Sequence, residues 1–123
     1  VIELQGPVIV QPFVEAVTKG EIRSVYFKGV EIGTILKTPK DGEFLSNIAQ
    51  GASFWKEPLT ETARNRAEPI VKELLDFGVD WVAFDILGDA ISEVNITCPG
   101  LLVEVSYAYQ KNLADVVIDL MII

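Results

Sequence analysis

The spacing of apolar and polar residues along the chain predicts short strands, one long loop and amphipathic helices. Residues 8–14, VIVQPFV, form an apolar run that reads as a short buried strand. Pro12 limits it to a sheet edge or to a strand-to-linker exit. Lys19-Gly20-Glu21 reads as loop, and alternation resumes at Arg23-Ser24-Val25-Tyr26-Phe27. Lys28-Gly29 is a hairpin turn into residues 30–37, so 22–37 is predicted to be an antiparallel pair. Residues 38–58 carry the breakers Pro39, Gly42, Gly51 and Pro58 and read as a long ordered loop. A loop of that length inside a compact domain is more often functional than not.

Thr60 can cap a helix running to about Phe77, with Glu61 in its first turn and Gly78 just past its end. Ala63, Ala67, Ile70, Val71, Leu74 and Leu75 fall on one helical face. Pro69 interrupts that helix and predicts a kink or a join. Strands over 81–87 and 90–97 follow, then helices over 101–108 and 112–122 after Pro99-Gly100. The architecture predicted is α+β: an antiparallel sheet with helices packed on one side.

Three polar side chains interrupt the second hairpin. Glu93 and Asn95 are two apart on a strand and share a face. A strict two-residue Gly88-Asp89 turn would pair Asp85 with Ser92 and point it away from Glu93. A three-residue loop, 88–90, sets Asp85 opposite Glu93 and Ala83 opposite Asn95. It also gathers Val82, Phe84, Val94 and Ile96 on one apolar face. The hydrophobic pattern selects register, so the three-residue loop is the expectation. Asp85, Glu93 and Asn95 then make a converging oxygen site. Two carboxylates and an amide oxygen suit Mg²⁺ or Mn²⁺, and magnesium held this way usually shares its shell with substrate phosphates. The alternative is a solvated sheet face whose polar residues need no partner.

Composition narrows the field further. The 123 residues are about one domain, half of them apolar and 23% charged, which is a globular composition. Ten basic against eighteen acidic residues leave a net charge of -8, with no basic stripe for a nucleic-acid backbone. A bound divalent cation can still reverse the local field for phosphate. Histidine is absent, which removes histidine acid-base chemistry and histidine zinc sites from this chain. The single cysteine, Cys98, excludes an internal disulfide and suits a reducing cytoplasm. The apolar runs are too short to cross a membrane. The chain starts at Val1 and runs straight into apolar sequence, so it reads as a piece of a larger protein that covers its apolar ends.

Asp85-Ile86-Leu87-Gly88-Asp89, followed by Ser92-Glu93-Val94-Asn95-Ile96-Thr97-Cys98-Pro99, resembles the C-terminal signature of bacterial glutathione synthetase, an ATP-grasp ligase. Family members typically read D-I-I-G-D, then T-E-I-N-V-T-S-P. Other segments match in order: Val10-Gln11-Pro12-Phe13-Val14, Lys19-Gly20-Glu21-Ile22-Arg23, Leu36-Lys37-Thr38-Pro39, Asn47-Ile48-Ala49-Gln50-Gly51 and Pro58-Leu59-Thr60. The resemblance implies ligation of γ-glutamylcysteine to glycine, with ATP first phosphorylating the substrate carboxylate. It implies that Asp85, Glu93 and Asn95 hold the magnesium ions that bridge the ATP phosphates. Arg23 and Lys37 would face the phosphates or the acyl phosphate, with Asn47 in the loop lining the reaction centre. The backbone at Gln11, Phe13 and Val14 would meet the adenine, and Glu21 would accept the ribose hydroxyls. Thr97, Cys98 and Pro99 would lie at the end of the peptide substrate.

Residue by residue, bland readings stand beside these. Arg23 and Lys37 also read as solvated strand charges, Phe13 as core, Glu21 as an exposed turn residue and Cys98 as a small inert side chain. The chain departs from the family pattern at Leu45 and Ser46, where arginine and glycine are common. It also departs at Lys37 for arginine, Cys98 for serine and Val103 for arginine. The phosphate-covering subdomain and the N-terminal substrate domain of such enzymes have no counterpart in these residues. The isolated chain is therefore expected to bind nucleotide weakly and to be inactive, whereas full-length relatives imply a homo-oligomer. Another ATP-grasp ligase, such as a glutamate ligase, and a non-catalytic remnant serving as an interaction module are the competing readings.

Overall fold

Two hairpins supply most of the sheet in this computed structural model, which describes residues 6–42 and 46–123. Strands β1 (Glu21–Phe27) and β2 (Val30–Thr38) are antiparallel. Lys28 and Gly29 join them at φ 45° and 82°, the left-handed pair a type I′ hairpin needs. Strand β3 (Ser53–Lys56) runs along the free edge of β2. Strands β4 (Trp81–Leu87) and β5 (Ala90–Asn95) form the second hairpin, and β4 docks on β1. The sheet order is β3-β2-β1-β4-β5, antiparallel throughout.

Helix α1 (Glu61–Asp76) begins at Thr60, whose hydroxyl accepts from the Ala63 amide at 3.1 Å. It runs without a break through Pro69, which lies on the exposed side. The carbonyl that proline leaves unpaired can there meet water. Helices α2 (Leu102–Tyr109) and α3 (Leu113–Ile122) close the chain.

Strand periodicity sends alternate side chains to two faces, and both are covered. Ile22, Tyr26, Val82, Phe84 and Ile86 pack under Ala63, Ala67 and Val71 of α1. Val25, Phe27, Ile35 and Ala83 pack under Val105, Leu113 and Val117 of α2 and α3. The one-sided layering read from the sequence is therefore replaced by helices on both faces. Helical periodicity identifies an apolar stripe without saying which side of the sheet it meets. Gly33 on β2 permits the second layer, because a Cβ there would lie 2.4 Å from Val105 Cγ1.

Three further expectations are corrected. Residues 8–14 are exposed, irregular chain and not a buried strand, with Ile9 89% and Val10 78% accessible. The loop over 38–58 contains a 3₁₀ turn (Ile48–Gln50) and β3, while Leu45 lies outside the described residues. Leu87 pairs with Ala90, so the β4–β5 turn is the two-residue Gly88-Asp89 and not a three-residue loop. Even so, Asp85 pairs with Glu93 and Ala83 with Asn95. The extra residue is Ser92, a bulge on β5 whose hydroxyl donates to the Asp85 carbonyl at 3.0 Å.

Candidate functional site

Register assembles the site. On β1, residues 21, 23, 25 and 27 share the α2–α3 face. Glu21 lies across from Lys37, Arg23 lies across from Asp85, and Asp85 lies across from Glu93. Residues directly opposite in a ladder point the same way, so four strands bring Glu21, Arg23, Lys37, Asp85, Glu93 and Asn95 to one face. They sit beyond the apolar layer that α2 and α3 cover.

Asp85 is the hub. Arg23 donates from Nε to Asp85 Oδ1 and from Nη2 to Oδ2, both at 2.8 Å, a two-pronged fork. Lys37 Nζ lies 3.3 Å from Oδ1, and Asn95 Nδ2 donates to Oδ2 at 3.2 Å. Lys37 also pairs with Glu21. Asp85 and Lys37 are nearly sealed, at 4% and 5% exposure. Two cations and two carboxylates thus balance in a cluster whose Asp85–Lys37 centre is buried and whose Glu21 and Arg23 are half-buried, the condition under which buried charge is tolerable. Burial pushes the Glu21 carboxyl above its ordinary range. The Lys37 hydrogen bond opposes that shift and the nearby Asp85 charge adds to it. Glu93 is exposed and has no hydrogen-bond or ion-pair partner among the described residues.

These groups line a cleft of about 510 Å³, together with Asn47, Cys98, Pro99 and the Gly100-Leu101 turn. A neighbouring cleft of about 690 Å³ is bounded by Gln11, Phe13 and Val14 and by Leu87 and Ile91. Glu21 and Ser46 belong to both. An apolar compartment therefore opens onto a charged one across a shared wall. Thr97 lines neither cleft, and Asn47 is committed by its side-chain oxygen to capping the Ala49 amide at 3.0 Å.

The oxygen-only donors Asp85, Glu93 and Asn95 suit a hard divalent cation in type. Among the described residues no three carboxylate, thiol or imidazole groups cluster as a cation cage. Such an ion would depend on the Asn95 amide oxygen and on ligand oxygens. Asp85 has about four acceptor positions, and Arg23, Lys37 and Asn95 take them. An anion in the cleft would have to compete with Asp85 and Glu21 for Arg23 and Lys37, and would free carboxylate lone pairs only in doing so.

Sequence reasoning did not single out Ser46, Gly100 or Leu101 as site residues. The Ser46 hydroxyl is buried without a partner among the described residues. Gly100 and Leu101 both have left-handed backbones, at φ 58° and 61°. Gly100 fits that conformation, but leucine gives no hint of it.

Residues 2–110 match the family model described as prokaryotic glutathione synthetase, ATP-grasp domain. The glutathione synthetase of Prochlorococcus marinus subsp. pastoris is 32% identical over 115 residues, covering 94% of this chain and 38% of that protein. The glutathione synthetase of Parasynechococcus marenigrum is 34% identical over 113 residues, covering 92% of this chain and 37% of that protein. The chain thus spans well under half the length of these relatives. A D-alanine–D-alanine ligase from Bacillus anthracis, solved in complex with ATP, superposes with a TM-score of 0.51. At 18% identity, with 81% of this chain and 37% of that chain covered, it supports the fold alone.

Proposed function

We propose, for a chain that belongs to the prokaryotic glutathione synthetase ATP-grasp family, that these residues form one wall of the nucleotide site of an ATP-dependent carboxylate–amine ligase. The observation that carries this reading is the pair of contiguous clefts sharing Glu21 and Ser46. A nucleotide has the same division, an apolar base at one end and a polyanion at the other. The base would lie against Gln11, Phe13 and Val14, the ribose hydroxyls would reach Glu21, and the phosphates would meet Arg23 and Lys37.

The substrates proposed by family membership are ATP, γ-glutamylcysteine and glycine. The γ-phosphoryl group passes to the carboxylate of γ-glutamylcysteine, forming an acyl phosphate and ADP. The glycine amine then attacks that carbonyl and phosphate leaves. Little of this chemistry needs a covalent partner from the protein, since phosphoryl transfer is catalysed mainly by positioning and charge. Arg23 and Lys37 supply fixed positive charge in a low-dielectric pocket. Asp85, Glu93 and Asn95 would hold a divalent cation, Mg²⁺ or Mn²⁺, which neutralises phosphate charge when bound. Asn47, Cys98 and Pro99 border the charged cleft and would face the reacting end of the peptide substrate, with Thr97 as the chain neighbour of Cys98. No described helix is long and apolar enough to cross a membrane, and the compartment we propose is the cytoplasm.

The test is phosphate release from ATP by a longer form of the protein that carries the remainder of a full-length relative. Release that requires both γ-glutamylcysteine and glycine supports the reading. Release with other acceptors alone would redirect the substrate assignment to a different carboxylate–amine ligase.

A further inference from the structure

We propose that Arg23 is a positioning residue for the turn at 97–101, which carries Cys98 and Pro99 into the charged cleft. Two of its donors hold Asp85. The third, Nη1, donates to the Pro99 carbonyl at 2.5 Å. A guanidinium held at all three nitrogens is a rigid strut that ties Asp85 of β4 to the turn, from a strand residue 76 positions from Pro99 in the chain.

The turn has reason to need a strut. Leu101 sits in the left-handed region at φ 61°, directly after Gly100 at φ 58°. An L-residue with a Cβ is unfavourable there and stays only when its surroundings hold it. Helix α2 offers little help, because its N-cap residue is Leu101, which makes no side-chain capping bond. Its opening bond instead runs from the Val105 amide to the Leu101 carbonyl at 3.0 Å. The left-handed Leu101 aims that carbonyl, and the nearest fixed point upstream is Pro99 on Arg23. A hydrogen bond from an ionised donor is among the stronger restraints available. Arg23 therefore sets both the hub of the ion cluster and the shape of the cleft's far wall.

Calling that wall substrate-facing rests on the function proposed above; the strut itself does not. The experiment uses amide hydrogen exchange by NMR on the chain without nucleotide. In Arg23→Lys the amine cannot span Asp85 and Pro99 together. The Val105 amide should then exchange at least about fivefold faster, with Val25 and Phe84 within about twofold of the parent. In a Leu101→Gly background the left-handed penalty is gone, and the same lysine substitution should change Val105 less than about twofold. An unchanged Val105, acceleration shared equally by the sheet, or a full effect despite Leu101→Gly would each overturn the proposal. The unmutated chain gives an independent reading, since its Arg23 guanidinium should rotate slowly with resolved Nη1 protons. Free rotation would overturn the strut even if the lysine variant did not fold.

Discussion

Asp85 lies directly across the β4–β5 ladder from Glu93, and the bulge at Ser92 is what brings them level. The two carboxylates share a face but not a situation. Asp85 is buried and bonded by Arg23, Lys37 and Asn95, whereas Glu93 is exposed at the mouth of the cleft.

That difference separates stability from binding. Asp85→Ala leaves buried Lys37 and half-buried Arg23 without their shared partner and should cost about 3 kcal/mol in urea unfolding. Glu93→Ala should stay within about 0.5 kcal/mol of the parent, while weakening any magnesium-dependent nucleotide binding. Equal destabilisation by the two would contradict the division of roles.

Much of the sheet was legible in the sequence, because residues 22–37 and 81–95 alternate and their turns carry glycine. Helix α1 announced itself through Thr60 and its apolar stripe. The convergence of Asp85, Glu93 and Asn95 followed from the side-chain period of two, although the extra residue proved to be the Ser92 bulge. Other features needed the third dimension. The apolar run at residues 8–14 has the composition of a strand, but no neighbouring strand pairs with it among the described residues. Strand β3 is four residues long, mostly exposed and set among breakers, so no periodicity marked it. The Arg23–Asp85 fork depends on β4 docking beside β1, a pairing between strands that are not consecutive in sequence.

Tyr26 provides a pH test of the core. Its hydroxyl is buried without a well-formed hydrogen bond among the described residues, and burial pushes its pKa up from 10.0 to about 12. The folded state thus binds this proton more tightly than the unfolded state does. The associated stability is intact below pH 10 and is lost as pH rises through about 12. Tyr26→Phe should be neutral or stabilising at pH 7. It should also remove about 2–3 kcal/mol of the alkaline loss. Parallel alkaline unfolding curves for parent and variant would contradict this.

Glu21 shifts in the same direction, chiefly through burial. Its contribution is greatest below the ordinary carboxyl value of 4.5 and declines as pH rises through the raised folded value. Denaturant midpoints of Glu21→Gln should therefore gain on those of the parent between pH 4 and pH 7. A gain in the opposite sense would show that the Lys37 pairing, and not burial, dominates.

Gly33 is expected to tolerate no side chain without cost. A Cβ there meets Val105 Cγ1 at 2.4 Å and Leu113 Cδ1 at 3.2 Å. Gly33→Ala should cost about 1–3 kcal/mol through overpacking, with chemical shifts moving in α2 and α3 and not in α1. An unchanged unfolding midpoint would mean that α2 sits more loosely on β2 than these contacts require.

The central claim is that the two clefts form one nucleotide site, and an NMR titration of the chain with millimolar MgATP tests it most directly. Weak binding is expected, with amide shifts along Gln11 to Val14 in the apolar cleft and at Glu21, Arg23, Asp85, Glu93 and Asn95 in the charged one. Both sets should saturate with a single dissociation constant. Shifts confined to one cleft, two unrelated constants, or no response at saturating concentration would contradict the account.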